Sequence, residues 1–400
     1  MSALENLVQF DLQDPSFQAD PHGTFGQLLE QGPLARTRRG IEVLNYDWNY
    51  RLYAERRLET PGPQGFIEKG VPPVFREFLE NGFLLGFHGE RHDLVRRVIQ
   101  KGFTIREVGA QRQLMRGLAH QLIDGFDFHD TDFVRDFSVK YPTMLICRLL
   151  GVPDADIARF KDAAVVLHKM GSVPLAPGFP YIEQALGTMR DYVVELVALR
   201  RAEPQEDFVS ALIEAQESEG QLTESELVWN IVNLLFAGQD TTRFQLAGIV
   251  RAAIEQPGHA WERLAAEPGL VGKVMWEGMR FHPTVKWSTR RPLEDFEFEG
   301  FPFKRGQWVF LSNHAATRDP AAFPDPHRYD IDREQTFTLP FGRGLHHCAG
   351  QMLARVGMEE ALLALSARLG DLTLAGPVVE SKPTSMVGGP EVMPVRFRTR

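Results

Sequence analysis

No stretch limits the fold of this chain more than the run from Leu222 to about residue 254. Apolar residues lie around most of its girth, the pattern of a helix that passes through a core rather than along a surface. Its start is marked as well. Thr223 is followed three residues on by Glu226, the spacing of a capping box, with Ser225 as an alternative cap. Early acidic residues suit the positive end of the helix dipole. Helical periodicity recurs over 90–103, where apolar and basic residues fall on different faces, and over 181–200, 206–219, 260–280 and 350–369. Strand-like patterns occupy 36–46, 296–312 and 382–398, with turn residues between them. Pro61 to Pro73 and Gly171 to Pro180 read as Pro/Gly loops, and long ordered loops are often functional. No repeat and no clear linker interrupts the chain. The expectation is one mostly α-helical α+β domain over residues 1–400, with a long central helix and small β-sheets.

Composition sharpens this by exclusion. With 43% of the hydrophobic set, 400 residues can bury a large core. The net charge is −9 and the 44 Lys and Arg are spread along the chain, so no whole-molecule nucleic-acid footprint appears. The N-terminus lacks a basic start and a long apolar run, and no 18-residue apolar segment follows. A monomeric cytoplasmic protein with neither membrane nor nucleic acid as partner is expected. Only Cys147 and Cys348 occur, too few for a secreted disulfide framework. Cys147 lies in a mostly apolar run and reads as a buried, inert thiol.

Cys348 is different. It stands in Phe341-Gly-Arg-Gly-Leu-His-His-Cys-Ala-Gly350, beside two histidines and among three glycines. Zinc wants three or four ligands at productive spacing, and His346, His347 and Cys348 are consecutive, so they converge poorly on one tetrahedral ion. An iron–sulfur cluster needs more thiolates. A single thiolate on haem iron fits better, because the porphyrin supplies four nitrogens and glycines let the backbone approach closely. On the residues alone, zinc and a catalytic Cys–His pair stay open as weaker readings. A second anomaly lies inside the long apolar run at Ala237-Gly-Gln-Asp-Thr-Thr242. Gly238 and paired threonines are poor helix formers, and Asp240 is a charge in an apolar stretch. Such violations mark a site, a helix bend or a satisfied buried acid.

Together these segments resemble the cytochrome P450 family, of the soluble bacterial type. Phe341, Gly342, Gly344, His346, Cys348 and Gly350 meet its haem-loop pattern, and Ala237–Thr242 meets its oxygen-activation motif. The resemblance implies haem b with Cys348 as the axial thiolate and sole protein ligand to iron. It places Phe341 near the sulfur, Gly350 in the loop, and His346 on a haem propionate, with His347 in a variable position. His92 and Arg96, in a His-x-x-x-Arg helix, and Arg290 are implied as further propionate partners. Asp240 and Thr241 are implied to deliver protons, with Thr242 auxiliary. Glu277 and Arg280 match the family's buried Glu-x-x-Arg pair, and Arg328 is expected as its third member. The chain departs from the family at Thr338, at Pro283-Thr284 and at Gly388-Gly389.

The same resemblance implies a monooxygenase that takes two electrons and dioxygen and inserts one oxygen atom into a small to medium hydrophobic substrate, an aromatic or terpenoid. Hydroxylation or oxidative O-dealkylation would result. Tailoring of a polyketide or steroid, a peroxide-driven haem enzyme and a non-catalytic haem sensor are the alternatives. A ferredoxin with its reductase is the implied electron source, and Arg96, Arg97, Arg343 and Arg355 could form its docking face. Aligned positions suggest Asn233, Phe236, Ala237, Val285, Lys286, Trp287, Met386 and Val387 as the substrate lining. Lys286 is the odd member: in the cavity it would favour an anionic substrate, and turned to solvent or a propionate it would say nothing.

Overall fold

The computed structural model describes residues 6–62, 66, 70–101, 103–127, 129–167, 170, 175–219, 222–334 and 339–400. Parts of both expected Pro/Gly loops, and Thr338, lie outside the described residues. The fold is predominantly α-helical with small sheets and one long helix, Glu224–Glu255. The chain forms two compact units, each assembled from three separate segments.

The first unit comprises residues 1–61, 247–348 and 378–391. Its centre is a five-stranded sheet in the order Leu34–Thr37, Gly40–Val43, Val309–Ser312, Trp287–Pro292 and Leu58–Glu59. Gly40–Val43 and Val309–Ser312 run parallel, and the other pairs are antiparallel. All four residues of Val309–Ser312 are buried, as suits an interior strand. The strand-like pattern over 36–46 resolves into two short strands. It stops where Asn45 caps a helix, Tyr46–Leu52, by accepting from the Trp48 N–H at 3.3 Å. The helical stretch 260–280 divides at Pro268 into Ala260–Ala266 and Val271–Phe281, because proline ends the ladder of amide donors.

At the end of Val271–Phe281 the Glu277–Arg280 pair is buried, with side chains 3% and 1% exposed. Arg280 donates to both carboxylate oxygens of Glu277 at 2.7 and 2.8 Å, and to the carbonyls of Thr317, Pro326 and Arg328. The third member is Arg333, whose Nε lies 3.5 Å from Glu277 and whose side chain is 12% exposed. This corrects the expectation for Arg328. Its side chain points outward, 69% exposed, beside Asp330, and only its carbonyl joins the network.

The second unit comprises residues 62–246, 349–377 and 392–400. Helices Pro73–Asn81, Gly89–Lys101, Lys140–Leu149 and Phe179–Ala202 pack with the first six turns of the long helix around Phe75, Phe78, Leu186, Met189, Trp229 and Val232. The expected capping box is present. Thr223 Oγ1 accepts from the Glu226 N–H at 3.2 Å, and Glu226 accepts in return from the Thr223 N–H at 2.8 Å. Thr223, not Ser225, is therefore the cap. Gln351–Arg368 packs on Arg112–Asp124, where buried Glu360 accepts from Arg112 and Arg116. A three-stranded sheet orders Thr131–Asp132, Pro394–Thr399 and Leu369–Leu374. Cys147 is fully buried, and that burial pushes its thiol up to about 12, as an inert thiol requires. Among the described residues no helix is long and apolar enough to cross a membrane.

Candidate functional site

In the first unit the cysteine segment is a loop made by glycine. Gly342 and Gly344 have φ of 66° and 73°, a region that side-chain-bearing residues rarely adopt. A Cβ on Gly344 would also fall 2.8 Å from the Tyr53 carbonyl oxygen. Between them the loop closes on itself. The Cys348 N–H donates to the Phe341 carbonyl at 2.9 Å, and Gly344–His346 forms one 3₁₀ turn. Phe341 is held edge-on to Trp276, ring centroids 5.8 Å apart. Cys348 itself is exposed. Arg343 is tied down: it donates to the Tyr50 carbonyl at 3.1 Å and lies 3.7 Å over that ring.

Arg290, on the strand Trp287–Pro292, is 5% exposed. It donates to the neighbouring Thr289 carbonyl at 2.9 Å and lies over Tyr53, centroid distance 5.1 Å. The Tyr53 hydroxyl is in turn hydrogen-bonded to Ser288 and Asn313. Burial lowers the Arg290 pKa, and Tyr53 opposes that shift. Among the described residues no carboxylate forms an ion pair with it, so its charge is buried without a protein anion.

The expected lining residues of this unit divide. Val285, Met386 and Val387 are half-buried and lie together, Val285 bridging Val387 across an antiparallel contact. Trp287 is packed into the sheet, 5% exposed, with the Arg39 guanidinium 4.1 Å over its ring. Lys286 is also buried, and its ammonium donates to the Lys382 carbonyl at 3.1 Å. It is therefore not turned out to solvent.

In the second unit the long helix stays continuous through Ala237–Thr242. Most of its residues are buried, but Asn233, Phe236, Ala237 and Thr241 are not fully covered. Their spacing of three, four and eight places them on one stripe. Thr241 donates its hydroxyl to the Ala237 carbonyl one turn back at 3.2 Å, which satisfies the hydroxyl without breaking the helix. Asp240 is 9% exposed and lies 2.7 Å from Arg243 Nε, one turn on. Arg243 is a residue that the motif alone passes over, although its spacing from Asp240 is visible in the sequence. On Gly89–Lys101, His92 is fully buried with Nδ1 3.1 Å from Asp93. Arg96, four residues on, shares its face. Gly350 caps the helix Gln351–Arg368, its carbonyl accepting from the Ala354 N–H at 2.9 Å.

The first unit thus carries an exposed thiol on a glycine-shaped loop and a buried arginine without a carboxylate ion pair, and the long helix of the second unit carries Asp240 and Thr241. Comparison with known proteins shows the family. The family model for cytochrome P450 matches residues 250–366. Luteothin monooxygenase of Streptomyces thioluteus is 33% identical over 402 residues, covering 98% of this chain and 96% of that protein. Mycinamicin IV hydroxylase/epoxidase of Micromonospora griseorubida is 33% identical, covering 93% and 94%. The solved structure of cytochrome P450 CYP109Q5 from Chondromyces apiculatus superposes with a TM-score of 0.84 at 25% identity, covering 98% and 99%.

Proposed function

The chain belongs to the cytochrome P450 family, a family of haem-thiolate monooxygenases, and from that premise we propose that Cys348 is the haem ligand and that the substrate is a neutral hydrophobic molecule. The observation that carries the reading is the cysteine loop, in which two left-handed glycines present an exposed thiol. Arg290 supports it independently. A buried guanidinium without a carboxylate suits an anionic haem propionate, and His346, His92 and Arg96 are the other residues proposed to hold that edge. Phe341 and Gly350 complete the cofactor set. Bound haem would supply the dioxygen-activating iron chemistry that no side chain here can perform.

The chain's own residues take the remaining tasks. Thr241 Oγ1 has its proton directed to the Ala237 carbonyl, which leaves the oxygen lone pairs to accept a hydrogen bond from water. The Asp240 carboxylate, held beside Arg243, is proposed to pass protons toward that oxygen. Asn233, Phe236, Ala237, Val285, Met386 and Val387 would exclude water and orient the substrate. Two electrons would come from a ferredoxin and its reductase, approached through basic residues such as Arg97 and Arg355. The two relatives are a luteothin monooxygenase and a mycinamicin IV hydroxylase/epoxidase. They favour a tailoring role on a product of that kind as the second reading, beside an aromatic or terpenoid substrate.

The test of the ligand is spectroscopic. Reduced protein with carbon monoxide should give the strongly red-shifted band of a thiolate-ligated haem, and Cys348→Ser should abolish it. A Cys348→Ser protein that keeps the band would overturn the assignment.

A further inference from the structure

Lys286 is a buried cation in a region otherwise read as apolar lining, and its surroundings are built in detail. The stretch Thr284–Trp287 is laced to the turn 381–389 by main-chain bonds. The Lys286 N–H donates to the Met386 carbonyl at 2.8 Å, and the Gly388 N–H donates to the Thr284 carbonyl at 3.0 Å. The turn is closed at its base by Ser381, whose N–H donates to the Gly389 carbonyl at 3.0 Å and whose hydroxyl accepts from the Gly389 N–H at 2.9 Å. The Lys286 ammonium adds a side-chain pin by donating to the Lys382 carbonyl at 3.1 Å.

Gly388 makes room for that pin. A Cβ there would lie 2.0 Å from the Ser381 hydroxyl and 3.2 Å from Lys286 Nζ. The glycine at 388 is therefore required chiefly by Ser381, with the Lys286 ammonium close behind, and the departure at Gly388-Gly389 has a local cause. The charge is also occupied. Glu380 and Glu391 act on the ammonium as the nearby anions, and Glu380 is itself bonded to Arg251. A buried ammonium with a carbonyl acceptor and two acids for company is poorly placed to serve a further anion.

We propose that Lys286 is a positioning residue: it pins the turn that carries Met386 and Val387 against Val285, and so fixes an uncharged edge of the substrate site. The substrate meets that edge with an apolar, neutral part, and the lysine does not act as its counter-ion. This rests on the assignment of Val285, Met386 and Val387 to the substrate lining.

The test uses the full-length protein and two readouts. In Lys286→Met, amide exchange at Ser381, Gly388 and Gly389 should accelerate by roughly tenfold or more, because a charge-assisted bond holding the turn is gone. Spectral titration with phenylimidazole and with its carboxylate-bearing analogue should show both ligands weakening together. Ser381→Ala, which keeps the ammonium, should reproduce both changes to a smaller extent. Unchanged exchange in Lys286→Met would overturn the proposal. So would loss of the carboxylate ligand alone, which would make Lys286 a counter-ion. If Lys286→Met does not fold, a Ser381→Ala protein that matches the wild type in both readouts also overturns it. A preparation with no haem spectrum would count against the functional reading instead, and the exchange measurement would still decide the role of Lys286.

Discussion

Glu277–Arg280 and Asp240–Arg243 are the same device by spacing, an acid and an arginine one helical turn apart, yet they stand in unlike surroundings. The first pair is 3% and 1% exposed and bidentate, and it ends in three backbone carbonyls and a second arginine, Arg333. The second is a 2.7 Å contact within one helix, with the side chains of Arg243 and Asp240 12% and 13% exposed. A carboxylate gripped from several elements holds a fold together. For Asp240 the contact in view lies within its own helix. The difference teaches that spacing predicts the contact, while the neighbours decide its use.

The largest effect should come from the residue that follows the first pair. His282 caps the helix Val271–Phe281, and burial, helped by Arg318 and Arg251, lowers its pKa to about 3. Between the ordinary value of 6.5 and about 3, the unfolded chain binds a proton that the folded chain does not. Stability from this group is complete above pH 6.5 and falls as the pH drops, by about 5 kcal/mol in all and roughly 2 kcal/mol by pH 5. Urea unfolding at pH 7 and pH 5 should show the loss, and His282→Asn should remove that part of it.

Removing Arg280 comes next. Arg280→Ala should cost about 3–5 kcal/mol, since it leaves Glu277 buried without its main partner. A double replacement of Glu277 and Arg280 by apolar residues should cost less than either single change, read from denaturation midpoints. Additive losses would show that the network is not acting as one unit.

Lys286 is the intermediate case, buried like the first pair but with a lone carbonyl for its ammonium. Burial lowers its pKa to about 8, against Glu380 and Glu391. Between about pH 8 and 10.5 the unfolded state binds the extra proton, so the burial cost, present below pH 8, is relieved as the pH rises. Relative to Lys286→Met, the wild type should gain up to about 3 kcal/mol over that window. Parallel stability curves for the two proteins would refute a buried charge.

The smallest stability effect belongs to the second pair. Asp240→Asn should cost about 1–2 kcal/mol, less than Arg280→Ala because the amide oxygen still gives Arg243 an acceptor. On the proposed reading it should slow turnover and enlarge the solvent deuterium effect without altering the carbon monoxide band. Destabilisation on the scale of Arg280→Ala would erase the contrast.

Local signals were legible in the sequence and non-local ones were not. The long helix and its Thr223–Glu226 box depend on neighbouring residues, and both appear as read. The glycines of the cysteine loop were legible because left-handed backbone has few tenants. Arg333 was not separable from Arg328, since both sit in an irregular stretch without a period to show which side chain turns inward. Lys286 was undecidable for a different reason. Its acceptor, Lys382, lies 96 residues away, in a turn whose register no pattern announces. Trp287 was placed in the lining by its aligned position, which carries no sign that Arg39, far earlier in the chain, lies over its ring.

The alternation of the two units along the chain has a consequence for dissection. Three segments in each mean that the backbone passes from one unit to the other five times, once inside the long helix and once directly after Cys348. No single cut therefore releases either unit whole. A protease that nicks one exposed loop should leave fragments that stay associated until denaturant is added, and neither unit is a candidate for separate expression or for grafting as a contiguous block.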